Sequence, residues 1–189
     1  AILRAYRFSN APVDILLQDL YGWTPVPKSS WGNASQARRA WIEWGVSHEL
    51  EARPNFYSFF QLDPQRRNWR HTSDATDQYN CIAFAADDNT RRWWPVDGRY
   101  WPPGFPRVAT LENFVATFSK WLGYKPCTSE ECEPGKEKIA IFVDAAGIPT
   151  HAAKQLEGDG WWKSKLGDNV DIEHELRAVE GRAYGKFAS

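Results

Sequence analysis

Between Glu137 and Leu166 three short runs follow one another with only tight turns between them, and no other stretch restricts the fold as strongly. Glu137 to Asp144 contains Ile139-Ala-Ile-Phe-Val143, the texture of a strand buried on both faces. Thr150 to Leu156 and Trp161 to Leu166 follow, after the turns Ala146-Gly-Ile-Pro149 and Glu157-Gly-Asp-Gly160. Turn residues spaced this way predict an antiparallel meander. Pairing through Gly158-Asp159 sets His151 opposite Leu166 and Ala153 opposite Ser164, so His151, Ala153 and Gln155 share a face with Trp162, Ser164 and Leu166.

Helical signals surround the meander. Thr110 to Leu122 has a Thr cap, Glu112 in its first turn, a stripe of Leu111, Phe114, Val115, Phe118 and Leu122, and Gly123 at its end. Cys81-Ile-Ala-Phe-Ala-Ala86 is a short apolar helix that follows a polar loop and has Asn80 before it as cap. Asp171 to Glu180 reads as a helix with Ile172, Leu176 and Val179 inward and Asp171 as its cap. Residues 1–65 read as a helical N-terminal extension, with Val13–Leu20 and a longer helix from Asn33 or Ser35 to Ala52, and residues 66–189 as the α+β domain.

The chain has 11 Trp, as many as it has Leu, and no Met, so aromatic rings must supply much of the core. A net charge of -1 argues against a partner recognised through phosphates, although Arg66, Arg67, Arg70, Arg91, Arg92 and Arg99 make the middle locally basic. No nucleic acid partner is expected. The longest apolar runs fall far short of the roughly 20 residues that span a bilayer, so no membrane partner is expected either. Arg4, Arg7 and Asp14 interrupt the first 20 residues, which lack the apolar core of a secretory signal. The compartment, cytoplasmic or secreted, stays open, as does the oligomeric state.

Cys81, Cys127 and Cys132 leave at least one thiol unpaired in any redox state. Cys127 and Cys132, in a polar loop, are positioned for a local disulfide in an oxidising compartment, and their C-x4-C spacing fits no structural zinc site. A thiol in the first turn of a helix lies at the positive end of the helix dipole, beside backbone N–H groups that favour thiolate and can hold an oxyanion. Cys81 has that position, and His151, beside the small Ala153, is the best placed base among His48, His71, His151 and His174. Asn80 caps the helix or assists the oxyanion. Arg92-Trp-Trp-Pro95 and Arg99-Tyr-Trp-Pro102 form an aromatic lip in which Trp93, Trp94, Tyr100 and Trp101 either close over the core or line a substrate groove.

Cysteine at a helix start, then a strand, histidine on the next antiparallel strand and a polar position on the third is an order that resembles the papain-like fold, in its NlpC-type and transglutaminase-like arrangement. Tyr79-Asn-Cys-Ile-Ala-Phe-Ala-Ala86, Trp93-Trp-Pro95, Tyr100-Trp-Pro102, Thr110-Leu-Glu112, Gly123-Tyr124, Thr150-His-Ala-Ala153, Gln155-Leu156, Trp162 to Gly167, Ile172-Glu-His174 and Tyr184-Gly185 together resemble an uncharacterised bacterial domain family over residues 69–187. The resemblance implies a papain-like α+β core in which the Cys-bearing helix packs on the sheet, Cys81 as nucleophile and His151 as general base. The usual Asp, Asn or His orienter is not obvious on the third strand. Ser164 occupies it, and His174, placed on the following helix, points away from the Ile172 stripe, towards water or a loop.

These readings lead to a cysteine-dependent hydrolase or acyltransferase acting on an amide bond of a peptide or protein side chain, with no metal and no cofactor required. Two alternatives use the same scaffold: a binding module without turnover that holds its ligand on the Trp/Tyr lip, and a secreted toxin-type effector with the same Cys-His chemistry.

Overall fold

The computed structural model describes residues 2–6, 62, 68–155 and 157–188. Its centre is an eight-stranded sheet in which every pairing is antiparallel. The strands are β1 (Ile2–Tyr6), β2 (Trp69–His71), β3 (Lys125–Cys127), β4 (Lys136–Val143), β5 (Pro149–Gln155), β6 (Trp162–Lys165), β7 (Asp171–His174) and β8 (Lys186–Phe187). Their spatial order is β2-β7-β6-β5-β4-β1-β3, with β8 also on β4. The molecule is thus α+β. Helices α1 (Cys81–Ala85) and α2 (Leu111–Leu122) precede the central strands, and a 3-10 turn (Leu176–Val179) follows β7.

The sheet separates two cores, which is why β4 is apolar on both sides. On one face Ile139, Ile141 and Ala152 pack with α1, with Phe114 and Phe118 of α2, and with Trp93 and Trp101. On the other, Ala140, Phe142, Ala153, Trp162 and Ile172 pack with Trp69 and the 3-10 residues Leu176, Ala178 and Val179. Aromatic residues thus fill space that few aliphatics are present to fill.

Helix α2 follows its sequence signals closely. Thr110 accepts from the Asn113 N–H, and Gly123 adopts φ 79°, from which the Gly123 and Tyr124 N–H groups satisfy the last carbonyls. Helix α1 ends at Ala86, and Asp87 then takes a left-handed conformation, φ 59°. The Asp87 carboxylate is held there by Lys154 of β5, whose ammonium also pairs with Glu137 of β4 at 2.9 Å. These ion pairs fix the short α1 to the strands that carry the remaining candidate residues.

Two expectations are corrected. Asp171 to Glu180 is not one helix: Asp171–His174 is strand β7, and only Leu176–Val179 turns, as 3-10. The Ile172, Leu176 and Val179 stripe is buried as its spacing suggests, but a strand and a turn satisfy it equally well. Residues Ile2–Tyr6, placed in a helical extension by the sequence reading, form β1 between β4 and β3. The helices read at Val13–Leu20 and up to Ala52 lie outside the described residues, as does His48. Among the described residues no helix is long and apolar enough to cross a membrane.

Candidate active site

Cys81 opens α1 because Asn80, in extended backbone, accepts the Ala83 N–H with its side-chain oxygen. The Cys81 side chain is buried among Ile82, Ala83 and the sheet residues Ile139, Ile141 and Ala152. Burial pushes its thiol up to about 11. The backbone N–H groups of Ala152, Ile82 and Cys81 itself act in the opposite direction, as does the Arg92 cation. The sulfur is therefore surrounded by donors that reward negative charge, yet it rests as a neutral thiol at physiological pH.

His151 lies one residue before the Ala152 amide that acts on the thiol. Its Nε2 is 2.8 Å from Ser164 Oγ, which is 2.7 Å from His174 Nε2, and His174 Nδ1 is 2.7 Å from the Glu175 carbonyl. The proton positions follow from the last partner. A carbonyl only accepts, so His174 carries its proton on Nδ1 and, being neutral, accepts at Nε2. Ser164 must then donate to His174 and accept from His151, which fixes the His151 proton on Nε2. His151 Nδ1 is left as a bare lone pair, buried and without a hydrogen-bond partner.

Burial, then the neighbouring His174, hold the His151 imidazole well below the ordinary histidine range. Burial lowers His174 to about 4, against a smaller upward effect of the Glu175 carbonyl. Both rings are thus neutral. His151 is held between Phe142, edge-on at 5.5 Å, and Tyr184, stacked at 3.9 Å and 11° between planes.

No hydrogen bond joins the Cys81 thiol to His151. Strand alternation separates their packing: His151 pairs with Phe142, whose ring lies in the core beyond the sheet, whereas Ile141 and Ala152 face α1. The β5–β6 ladder has the register read from the Gly158-Asp159 turn, but it includes only Lys154–Lys163 and Gln155–Trp162. Below that point β5 and β6 are joined by the His151–Ser164 bond instead of by backbone. Cys81 approaches β5 in this unladdered stretch, at Ala152.

The remaining expected residues take other roles. Asn80 acts as a structural cap: its oxygen accepts from Ala83 and Trp93, and one of its two amide protons goes to the Trp93 carbonyl at 2.8 Å. Asn80→Ala is expected to lose about 2 kcal/mol, since a cap and a loop tether go together, read as the urea midpoint. Half of the aromatic lip is core. Trp93 and Trp101 are 4% exposed, Trp94 and Trp101 pack on Phe114, and Trp93 donates to Asp88, whereas Trp94 and Tyr100 stay partly exposed. Tyr100 lies against Trp93 and under Arg91. His174 is fully buried in β7 and faces neither water nor a loop, and Asp171 accepts from Tyr79 Oη at 2.7 Å and caps nothing. His71 is half-buried on β2.

Sequence reasoning passed over a charged cluster on the Cys81 side of the sheet. Lys165 is fully buried, its ammonium 5.3 Å from the Tyr79 ring centroid and donating to the Asn169 carbonyl, opposite Asp171 across the ladder. Burial lowers its pKa, while Asp171, Asp168 and Cys81 oppose that shift. Arg92 pairs with Asp168, joining the loop after α1 to the β6–β7 turn. The signal was present in the sequence: Lys163 and Lys165 alternate on β6 as Asp171 and Glu173 do on β7, a cross-strand charge pattern.

Cys81, Cys127 and Cys132 are all free thiols. Among the described residues no group of His, Cys, Asp and Glu is arranged to hold a metal ion. A cleft of roughly 680 Å3 lies at the far end of β5, between Glu130, Cys132, Asp159 and Trp161, and its lining includes neither Cys81 nor His151.

A family model described as a domain of unknown function (DUF7689) matches residues 70–189. The chain belongs to the DUF7689 family. The matched span takes in Cys81, His151, Ser164 and His174, together with Tyr184, so the whole candidate site lies within the DUF7689 domain. No curated protein and no solved structure matches the chain.

Proposed function

We propose that this DUF7689 protein is a cysteine-dependent hydrolase or acyltransferase acting on an amide bond of a peptide or protein side chain, built on a papain-like core. The observation that carries the reading is the His151–Ser164–His174 chain, which leaves a bare, buried Nδ1 one residue from the amide that meets the Cys81 thiol. Ser164 and His174 together serve as the orienting group. A neutral thiol pushed up to about 11 beside a histidine held low does not form a resting ion pair, so His151 acts as general base during attack. Attack requires the Cys81 side chain to reach past Ala152 to the His151 face of β5. The sulfur then bonds to the carbonyl carbon as its proton passes to Nδ1, and backbone N–H groups around Cys81 stabilise the oxyanion. The proton then leaves with the amine as the acyl-thioester forms, and water or a second amine releases the acyl group. None of these steps calls on a metal or cofactor.

The test is iodoacetamide alkylation at pH 7, resolved by peptide for Cys81, Cys127 and Cys132, in the parent and in His151→Gln. With its thiol pushed up to about 11, Cys81 is expected to react only through base assistance, and His151→Gln to slow it by on the order of 100-fold, the lower end of general-base effects. A Cys81 that is inert, or equally reactive in both proteins, removes the nucleophile assignment.

A second reading, a papain-like scaffold without turnover, is favoured by the raised thiol and the missing Cys81–His151 hydrogen bond. Within the aromatic lip only Trp94 and Tyr100, which are partly exposed, could contribute to its ligand surface, since Trp93 and Trp101 are buried. An inert Cys81 in a folded protein is its signature.

A further inference from the structure

The Tyr184-Gly185 pair lies outside every role assigned so far, yet its surroundings are specific. Gly181 and Gly185 exchange both backbone hydrogen bonds, at 2.9 and 2.8 Å, closing a minimal loop on which Tyr184 projects. Thr150 Oγ1, one residue before His151, donates to the Tyr184 carbonyl at 2.6 Å. Gly185 adopts φ 70° and lies so close to β4 that an added Cβ would sit 2.0 Å from the Val143 carbonyl oxygen. Three independent restraints therefore press the loop onto the end of β5. Their product is the flat stack of Tyr184 on His151, with Phe142 edge-on against the same imidazole.

We propose that Tyr184 is a positioning residue for His151: its ring, clamped by the Gly181–Gly185 loop, fixes the imidazole plane in which Nε2 meets Ser164 and Nδ1 stays bare. Two ring planes 11° apart prevent the imidazole from turning about its Cβ–Cγ bond without displacing Tyr184. Turning would break the Ser164 bond and return the ring to the mixture of tautomers that free histidine shows. The titratable groups that bear on the pair are His174 on β7, reached through Ser164, and Cys81 of α1 and Asp168 of the β6–β7 turn, whose charges act on the Tyr184 phenol. The significance of the clamp for chemistry rests on His151 being the base, but the clamp itself is a property of the imidazole and is read there.

The experiment is histidine 15N–1H correlation NMR of the full chain across pH 4.5 to 8, comparing the parent with Tyr184→Phe, Tyr184→Leu and Tyr184→Met. In the parent, His151 is expected as the Nε2–H tautomer, titrating well below the ordinary histidine range, and its ring proton shifted by the stacked phenol. Tyr184→Phe keeps all three features, because the flat ring and not the hydroxyl does the positioning. Tyr184→Leu and Tyr184→Met fill the space without a flat face, and His151 is expected to show mixed tautomers and a pKa moved back towards the ordinary histidine value. His174 stays Nδ1–H throughout, since the Glu175 carbonyl holds it. Folded Leu or Met variants with a parent-like His151 overturn the proposal, as does a Tyr184→Phe spectrum that resembles Leu. If neither Leu nor Met folds, an unshifted His151 ring proton in the parent overturns it. A correct clamp with Cys81 indifferent to His151→Gln would leave the positioning standing and refute only the hydrolase reading.

Discussion

Gly185→Ala is expected to lose about 3 kcal/mol of unfolding free energy, among the larger effects a single methyl group can have. The added Cβ would approach the Val143 carbonyl oxygen to 2.0 Å and the carbonyl carbon to 2.7 Å, and the neighbour is strand backbone, which cannot swing aside. The φ of 70° adds strain of its own. Gly147→Ala is the control. Its φ is 80° but nothing lies within 4 Å of the added atom, so only the conformational term of about 1 kcal/mol applies. Urea midpoints of the two variants separate backbone strain from collision, and equal midpoints would show that the 181–185 loop shifts freely on β4.

Mild acid is expected to destabilise the domain by on the order of 3 kcal/mol between pH 7 and pH 4 through His174 alone, with His151 adding in the same direction. A histidine free in the unfolded chain titrates near 6.5, while folded His174 titrates near 4. Below 6.5 the unfolded state binds protons that the folded state refuses, so the stabilisation is complete above about pH 6.5 and is lost as pH falls through that window to 4. Asp88, held low by Thr90, Arg91 and Trp93 against its own desolvation, contributes only to a loss below its ordinary range. Asp171, raised mainly by burial, works in the opposite sense and offsets part of the fall. Urea denaturation at pH 7.5, 6, 5 and 4 reads the slope. A His174→Gln variant, folded but with one titrating ring fewer, should flatten it, and a flat profile in the parent would mean that the two imidazoles protonate within the fold.

Much of the frame was legible in the sequence because its signals were local. The Thr110 cap and Gly123 terminus bound α2 as expected, and the turns at Gly147 and Gly158 order β4, β5 and β6, with β5 and β6 in the predicted register. What failed depended on contacts distant in sequence. Asp171-Ile-Glu-His174 alternates as a strand should, but it places two acids inward, and only the Lys163 and Lys165 partners on β6, with Arg70 from β2, make that burial tolerable. Read alone, the same residues favoured a helix. Ser164 looked a weak orienter for the same reason: a hydroxyl has little intrinsic basicity, and its value lies in relaying polarity to His174, whose presence on the neighbouring strand could not be read once β7 was taken for a helix. The aromatic lip showed the converse. Repeated Arg-aromatic-Trp-Pro suggested a groove, whereas a chain short of aliphatic residues needed those rings over Phe114.

The place of β1 and β8 in the sheet bears on how this molecule comes together in time. Both lie on β4, at Ile2–Tyr6 and Lys186–Phe187, so the central strand draws its neighbours from segments separated by roughly 130 and 40 residues of chain. While the polypeptide emerges from the ribosome, β1 and β5 can already pair with β4, but the end of its outer edge at residues 141–143 has no cover until the residues around 187 are out. An uncapped apolar edge is a template for pairing with other chains. Assembly of this fold is therefore a slow, high-contact-order event, with a window of association risk that closes when β8 docks.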